Sequence, residues 1–137
     1  MSAKLPARMH GVFASSKRGH MLQASCHCGS IKIDIPRKPR TLTSCNCSIC
    51  RRTGGLWAYY KPAEVRVHSP RGSTDSYVWG DRALRLIRCA NCGCVTHWTG
   101  IGQRERMGVN CRNLDPEVTK NVRIRRFDGA STWKFLD

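Results

Sequence analysis

The residues of this chain best suited to chemistry are its nine cysteines. They fall as Cys26-x-Cys28, Cys45-x-Cys47-x-x-Cys50 and Cys89-x-x-Cys92-x-Cys94, with Cys111 alone. Thiolates one or two residues apart can reach one ion from a single tight turn. Zn²⁺ takes four such ligands tetrahedrally in a closed structural site, or three plus an open position in a catalytic one. The clusters contain two, three and three cysteines. Two plus two closes one site and a remaining three makes an open one, which points to one structural and one reactive zinc. An open zinc can polarise a carbonyl, or lower the pKa of a bound water or thiol. Three thiolates donate strongly and leave the ion a weaker Lewis acid than three histidines would. Disulfides are the plainer alternative. However, the odd count leaves one thiol over, and Cys26 and Cys28 are too close to bridge easily.

The scaffold that must position these thiols reads mostly as β-structure from Leu22 onwards. Ser30 to Ile35 alternates, with Ile31, Ile33 and Ile35 on one side and Lys32 and Asp34 on the other, the pattern of a half-buried strand. Pro36 and Pro39 end it. Leu56 to Tyr60 is aromatic-rich and strand-like, and Glu64 to His68 alternates with Val65 and Val67 inward. Ser69-Pro70-Arg71-Gly72 is a turn. Ser76 to Trp79 and Ala83 to Arg88 read as two strands joined at Gly80-Asp81. Val95 to Thr99 follows the third cysteine cluster, and Val122 to Phe127 is a late strand with Val122, Ile124 and Arg126 on one face. Short helical turns are expected at Ser48 to Thr53 and Asp115 to Lys120. The whole reads as a mainly β, chiefly antiparallel domain pinned by metal.

With 137 residues, the usual prior is one domain with one modest core. Residues 1–20 are basic, free of acidic residues and without periodicity, and are expected to form a disordered tail ahead of a single domain over 21–137. Their apolar stretches are too short for a secretory signal. No apolar run approaches the roughly 18 residues needed to cross a bilayer. The thiols argue for a reducing compartment, most simply the cytoplasm. Lys and Arg total 24 against nine Asp and Glu, a net charge of +15. Such a charge suits nucleic acid, an acidic partner or an anionic small molecule. It is spread along the chain, and a solvated basic face accounts for it equally well.

Cys26-His27-Cys28-Gly29, the run Cys45-Asn46-Cys47-Ser48-Ile49-Cys50-Arg51-Arg52-Thr53-Gly54, Cys89-Ala90-Asn91-Cys92-Gly93 and Met107-Gly108-Val109-Asn110 resemble the glutathione-dependent formaldehyde-activating enzyme family. The same domain occurs in centromere protein V. The resemblance covers about Leu22 to Phe127. It implies an Mss4-like β-tent of antiparallel strands pinned by two zinc ions. By this resemblance Cys26, Cys28, Cys89 and Cys92 hold the structural zinc. Cys45, Cys47 and Cys50 hold the catalytic zinc. The implied reaction adds the thiol of glutathione, or of another small thiol, to an aldehyde such as formaldehyde, a carbon–sulfur lyase-type chemistry.

Glutathione carries two carboxylates, and the arginine fork matches their oxygens. Arg51 and Arg52 adjoin the three-cysteine run and are the local candidates for substrate binding. Arg104, Arg106 and Arg112 flank the Gly-Val-Asn motif. Asn110 is a candidate either for substrate or for tying a loop. Trp57, Tyr59 and Tyr60 are pocket walls or core, and His27 is an alternative ligand whose neighbours already suffice. His97 and Trp98 should face opposite sides of a strand. Cys94 and Cys111 are extra to the family's seven: Cys94 is a competing ligand or a half-buried thiol, and Cys111 a substrate-facing or a buried one. The competing function is a zinc-stabilised binding module for nucleic acid or an acidic partner. A thiol-based redox sensor is a third.

Overall fold

The computed structural model describes residues 21–102 and 105–137. The expected tail over 1–20, and Arg104, lie outside the described residues. The strands are β1 (Leu22–Ser25), β2 (Lys32–Ile35), β3 (Thr41–Cys45), β4 (Trp57–Tyr60), β5 (Arg66–His68), β6 (Thr74–Val78), β7 (Leu84–Cys89), β8 (Val95–Gly100), β9 (Met107–Asn110) and β10 (Arg123–Phe127). Two one-turn helices interrupt them, α1 (Cys50–Thr53) and α2 (Pro116–Thr119). The second starts as its sequence asks, with the Asp115 side chain accepting from the Glu117 N–H and Pro116 in the first turn.

The chain is mainly β, and its described residues form two sheets. A three-stranded sheet runs β1-β2-β5, and a seven-stranded sheet runs β10-β3-β4-β9-β8-β7-β6. Ile31, Ile33 and Ile35 are buried together, as the alternation requires, and Val65, just before β5, and Val67, within it, pack against the core. Leu42, Ala58, Tyr60, Met107 and Val109 face them from the larger sheet and complete one core. Burial of these side chains, each worth about 1.5–3 kcal/mol when complete, is what holds the sheets together.

The order of pairing departs from an all-antiparallel sheet at one place. β10 lies parallel to β3, in register from Arg123↔Thr41 to Phe127↔Cys45. A parallel pair needs a long connection, and here nearly the whole domain supplies it. Burial along β10 does not follow side-chain polarity. Ile124 is 48% exposed, and Arg125 and Phe127 are the partly buried side chains. Arg125 opposes Thr43 and Phe127 opposes Cys45 across the parallel pair. Phe127 is then packed edge-on by Trp133 and Phe135 of the returning C-terminal segment.

β1, β3 and β9 form where the sequence shows little alternation. β9 is the clearest case. All four residues of Met107–Asn110 are buried, because the strand sits between β4 and β8 and is covered on both faces. A strand buried on both sides has no polar face to reveal its period.

Candidate metal centres

The fold brings seven thiols into two groups. The sulfur atoms of Cys26, Cys28, Cys89 and Cys92 lie within 4.8 Å of one another, as do those of Cys45, Cys47 and Cys50. The four-thiol group joins the turn after β1 to the turn after β7, so it clasps residues from both sheets. Its recorded Sγ–Sγ separations are 3.7 Å for Cys26–Cys28 and 3.6 Å for Cys28–Cys89. A tetrahedral zinc with Zn–S of about 2.3 Å would set its sulfurs about 3.8 Å apart. The group therefore fits such an ion. The three-thiol group occupies the end of β3, the following turn and the first residue of α1.

Backbone amides point at these sulfurs. Ile31 N–H donates to Cys26 Sγ at 3.3 Å and Cys92 N–H to Cys89 Sγ at 3.5 Å. In the second group Cys47 N–H donates to Cys45 Sγ at 3.4 Å, and Cys50 N–H to Cys47 Sγ at 3.5 Å. Such donors stabilise thiolate over thiol. Burial pushes Cys26 up to about 12, while hydrogen bonding with Ser30 and Asn91 holds Cys28 down at about 5. Hydrogen bonding with Cys50 and the N–H groups of Cys47 and Gly129 lowers Cys45 to about 5 despite its burial. Cys50, hydrogen-bonded to that sulfur and buried, is driven strongly upward. In each group the thiols shift in opposite directions, because neighbouring sulfurs cannot all ionise side by side. A divalent cation removes this conflict, which is the chemistry expected of ligand sets rather than of isolated thiols.

Three neighbours of the open group were not legible as site residues. A Cβ on Gly129 would come 2.5 Å from Cys45 Sγ and 3.2 Å from Cys47 Cβ, so only glycine lets the chain pass there. Asn46, between two of the thiols, donates from Nδ2 to Asp128 at 3.0 Å and accepts from Ala130 N–H at 2.9 Å. Asp128 is buried and also accepts from the Thr132 N–H and hydroxyl. Hydrogen bonding, led by Asn46, holds its carboxyl below the usual range. The turn after β10 thus clasps the cysteine loop. The only sequence signal was the Asn46 position itself.

The remaining candidates separate by their contacts. Arg51 and Arg52 are exposed, and Arg52 turns back to donate to Ser48 O at 2.7 Å. Asn110 is buried and ties three backbone groups: its Oδ1 accepts from Leu56 N–H and Arg112 N–H, and its Nδ2 donates to Val95 O. Its bonds are those of a loop tie. Gly108 leaves space for the Trp98 indole, which a Cβ would strike. Arg112 Nε donates to Gly54 O, beside the end of α1. Trp57 and Tyr60 are core residues, 2% and 5% exposed, whereas Tyr59 is 38% exposed. Burial raises the Tyr59 phenol, Thr43 and Arg106 oppose the shift, and negative charge at Cys45 and Cys50 adds to it.

His27 is exposed. His97 is buried, with Nδ1 2.8 Å from the Thr96 hydroxyl, and burial brings it down to about 4. Trp98 is only partly buried, on the opposite side of β8. Cys94 stands outside the four-thiol group, and its burial raises its pKa. Cys111 lies in the core with its Sγ directed at Val109 O, and burial pushes it up to about 12. It is the buried thiol of the two alternatives.

Residues 21–127 match the family described as glutathione-dependent formaldehyde-activating enzyme. The crystal structure of a Rhodobacter sphaeroides protein, a structural-genomics target, is similar at a TM-score of 0.64 and 28% identity. The similarity covers 75% of this chain and 99% of that one. No curated protein matches the chain. With the family match extending from Met21 to Phe127 and embracing both thiol groups, the chain belongs to the glutathione-dependent formaldehyde-activating enzyme family.

Proposed function

We propose that the protein is a zinc-dependent carbon–sulfur lyase-type enzyme that forms or cleaves a thiol–aldehyde adduct, with S-(hydroxymethyl)glutathione synthase-like activity. The observation that carries this reading is the convergence of Cys45, Cys47 and Cys50 on one three-ligand group. In the forward direction the thiol sulfur bonds to the carbonyl carbon, the carbonyl π bond opens, and the thiol proton ends on the oxygen. No oxidation or reduction occurs. Bound there, zinc would supply an electrophilic centre that favours the thiolate form of a thiol and offsets charge on the carbonyl oxygen. The chain's own residues orient this chemistry. Cys45, Cys47 and Cys50 are the ligands, and the N–H groups of Cys47, Cys50 and Gly129 fix sulfur direction. Gly129 and Phe127 wall one side. Cys26, Cys28, Cys89 and Cys92 hold a second, structural zinc in this reading, and a reducing compartment such as the cytoplasm suits all seven thiols.

The test is exchange between formaldehyde and its glutathione adduct, followed by NMR, with zinc-loaded protein and with Cys47→Ser. The expected result is acceleration over the spontaneous rate that the variant loses. Equal rates with and without protein would contradict the proposal. The alternative, a binding module for nucleic acid, rests on the net charge of +15.

A further inference from the structure

The open thiol group is bordered by aromatic rings. A Cβ on Gly129 would stand 2.5 Å from Cys45 Sγ and 3.6 Å from Phe127 Cδ2, so that sulfur and that ring are neighbours. Trp133 meets Phe127 edge-on, with ring centres 5.7 Å apart, and Phe135 meets it at 5.1 Å. Together the three rings make a wall that is held in place. Asp128 N–H donates to Lys134 O and Leu136 N–H to Arg126 O, which ties the returning segment to β10. The Arg125 guanidinium lies 3.7 Å from the centre of the Phe135 ring. The Thr132 N–H and hydroxyl donate to the Asp128 carboxylate, and Trp133 N–H donates to Asp128 O.

Trp133 is the unusual member of the wall. It is 74% exposed, the most of any large apolar side chain among the described residues. The core therefore gains little from it. Its φ is +60°, in the left-handed region that glycine adopts freely and a bulky side chain rarely does. Fold stability alone would favour glycine or asparagine at this turn. Strain and exposure at one residue, beside the open thiols, mark a side chain kept for a contact that the chain itself does not supply. Aromatic rings of this kind take hydrocarbon, because contact removes apolar surface of both partners from water. The thiol in the family description is a polar peptide, and formaldehyde has no carbon chain, so neither would use the wall. An aldehyde with a hydrocarbon chain would: with its carbonyl carbon at the three-thiol group, its chain runs onto Phe127 and Trp133.

We infer that the wall of Phe127, Trp133 and Phe135 seats the hydrocarbon chain of an aldehyde larger than formaldehyde. The inference rests on the proposed thiol–aldehyde function and adds the class of aldehyde to it. The step stays the same addition. The thiol sulfur bonds to the carbonyl carbon, the π bond opens, and the thiol proton ends on the oxygen.

The experiment has two arms on the zinc-loaded full chain. The test variant is Trp133→Gly, because glycine accepts the backbone angle of this turn. The control is Tyr77→Ser, which removes an exposed aromatic from β6, at the far edge of the same sheet. In the first arm, S-hexylglutathione and S-methylglutathione, thioethers that cannot add to an aldehyde, are titrated and amide shifts are followed by NMR. The hexyl compound is expected to bind about tenfold tighter, with its additional shifts at Phe127, Trp133 and Phe135. That preference should fall to about twofold in Trp133→Gly and persist in Tyr77→Ser. Equal affinity for the two thioethers, no binding of either, a preference kept in Trp133→Gly, or one lost equally in Tyr77→Ser would overturn the inference. In the second arm, kcat/KM for hexanal relative to formaldehyde, with glutathione as the thiol, is expected to fall about tenfold in Trp133→Gly alone. An equal fall with both aldehydes would give Trp133 a structural role only and overturn the inference. Catalysed exchange with an unaltered ratio would sink the wall and leave the function standing. No catalysed exchange with either aldehyde would sink the function, while the first arm still reads the wall.

Discussion

At the scale of single residues, the site is defined as much by what a position excludes as by what it supplies. Gly129 shows this best, because any side chain there collides with Cys45 Sγ and Cys47 Cβ. Gly129→Ala should lower zinc affinity at the three-thiol group at least tenfold, read by competition with a colorimetric chelator, while the melting temperature moves by only a few degrees. Unchanged affinity would show that the loop yields freely. The thiols themselves were legible in the sequence, since ligand spacing is local and a turn suffices to converge them. Gly129 was not, because the need for glycine arises 82–84 residues away from the thiols that impose it. Asn110 illustrates the opposite case. It stood out by its motif, and its side chain is committed to Leu56, Val95 and Arg112 backbone groups.

At the scale of elements, the parallel docking of β10 on β3 decides where the open group sits. It places Phe127 beside Cys45 and delivers Asp128 to Asn46 and Gly129 to the sulfurs. Removing this clasp with Asn46→Ala should weaken metal binding at Cys45, Cys47 and Cys50 about ten- to a hundredfold, and leave the four-thiol group loaded. Zinc release followed in the same chelator competition checks it, and loss of both ions at once would contradict it. The strands over Ser30–Ile35, Leu56–Tyr60 and Val95–Thr99 could be read from alternation or apolar runs, and each forms within a residue or two. The partner of β10 could not be read, because pairing between the two ends of a domain leaves no local trace. Which of its residues are covered could not be read either: Ile124 is 48% exposed, while Arg125 and Phe127 are partly buried.

At the scale of the whole molecule, the two thiol groups have different structural reach. Cys28 and Cys89 are 61 residues apart in sequence, and their group clasps both sheets beside the shared core. Cys45, Cys47 and Cys50 lie on one short segment beside the sheet edge. Among the described residues no helix is long and apolar enough to cross a membrane. The mainly β class was legible in the sequence, whereas the division into a three-stranded and a seven-stranded sheet was not, since it depends on long-range pairing. Closing a long loop with metal contributes to folding free energy in a way that a local loop cannot match. The measurement that tests this account most directly is zinc content and thermal unfolding of Cys26→Ser and Cys47→Ser side by side. Cys26→Ser should lose cooperative unfolding or melt more than about 10 °C lower. Cys47→Ser should retain about one zinc per chain and melt within about 5 °C of the parent, with formaldehyde–glutathione exchange no longer accelerated. Equal loss of stability in the two variants, or exchange undiminished in Cys47→Ser, would contradict the assignment of one group to the fold and the other to the chemistry.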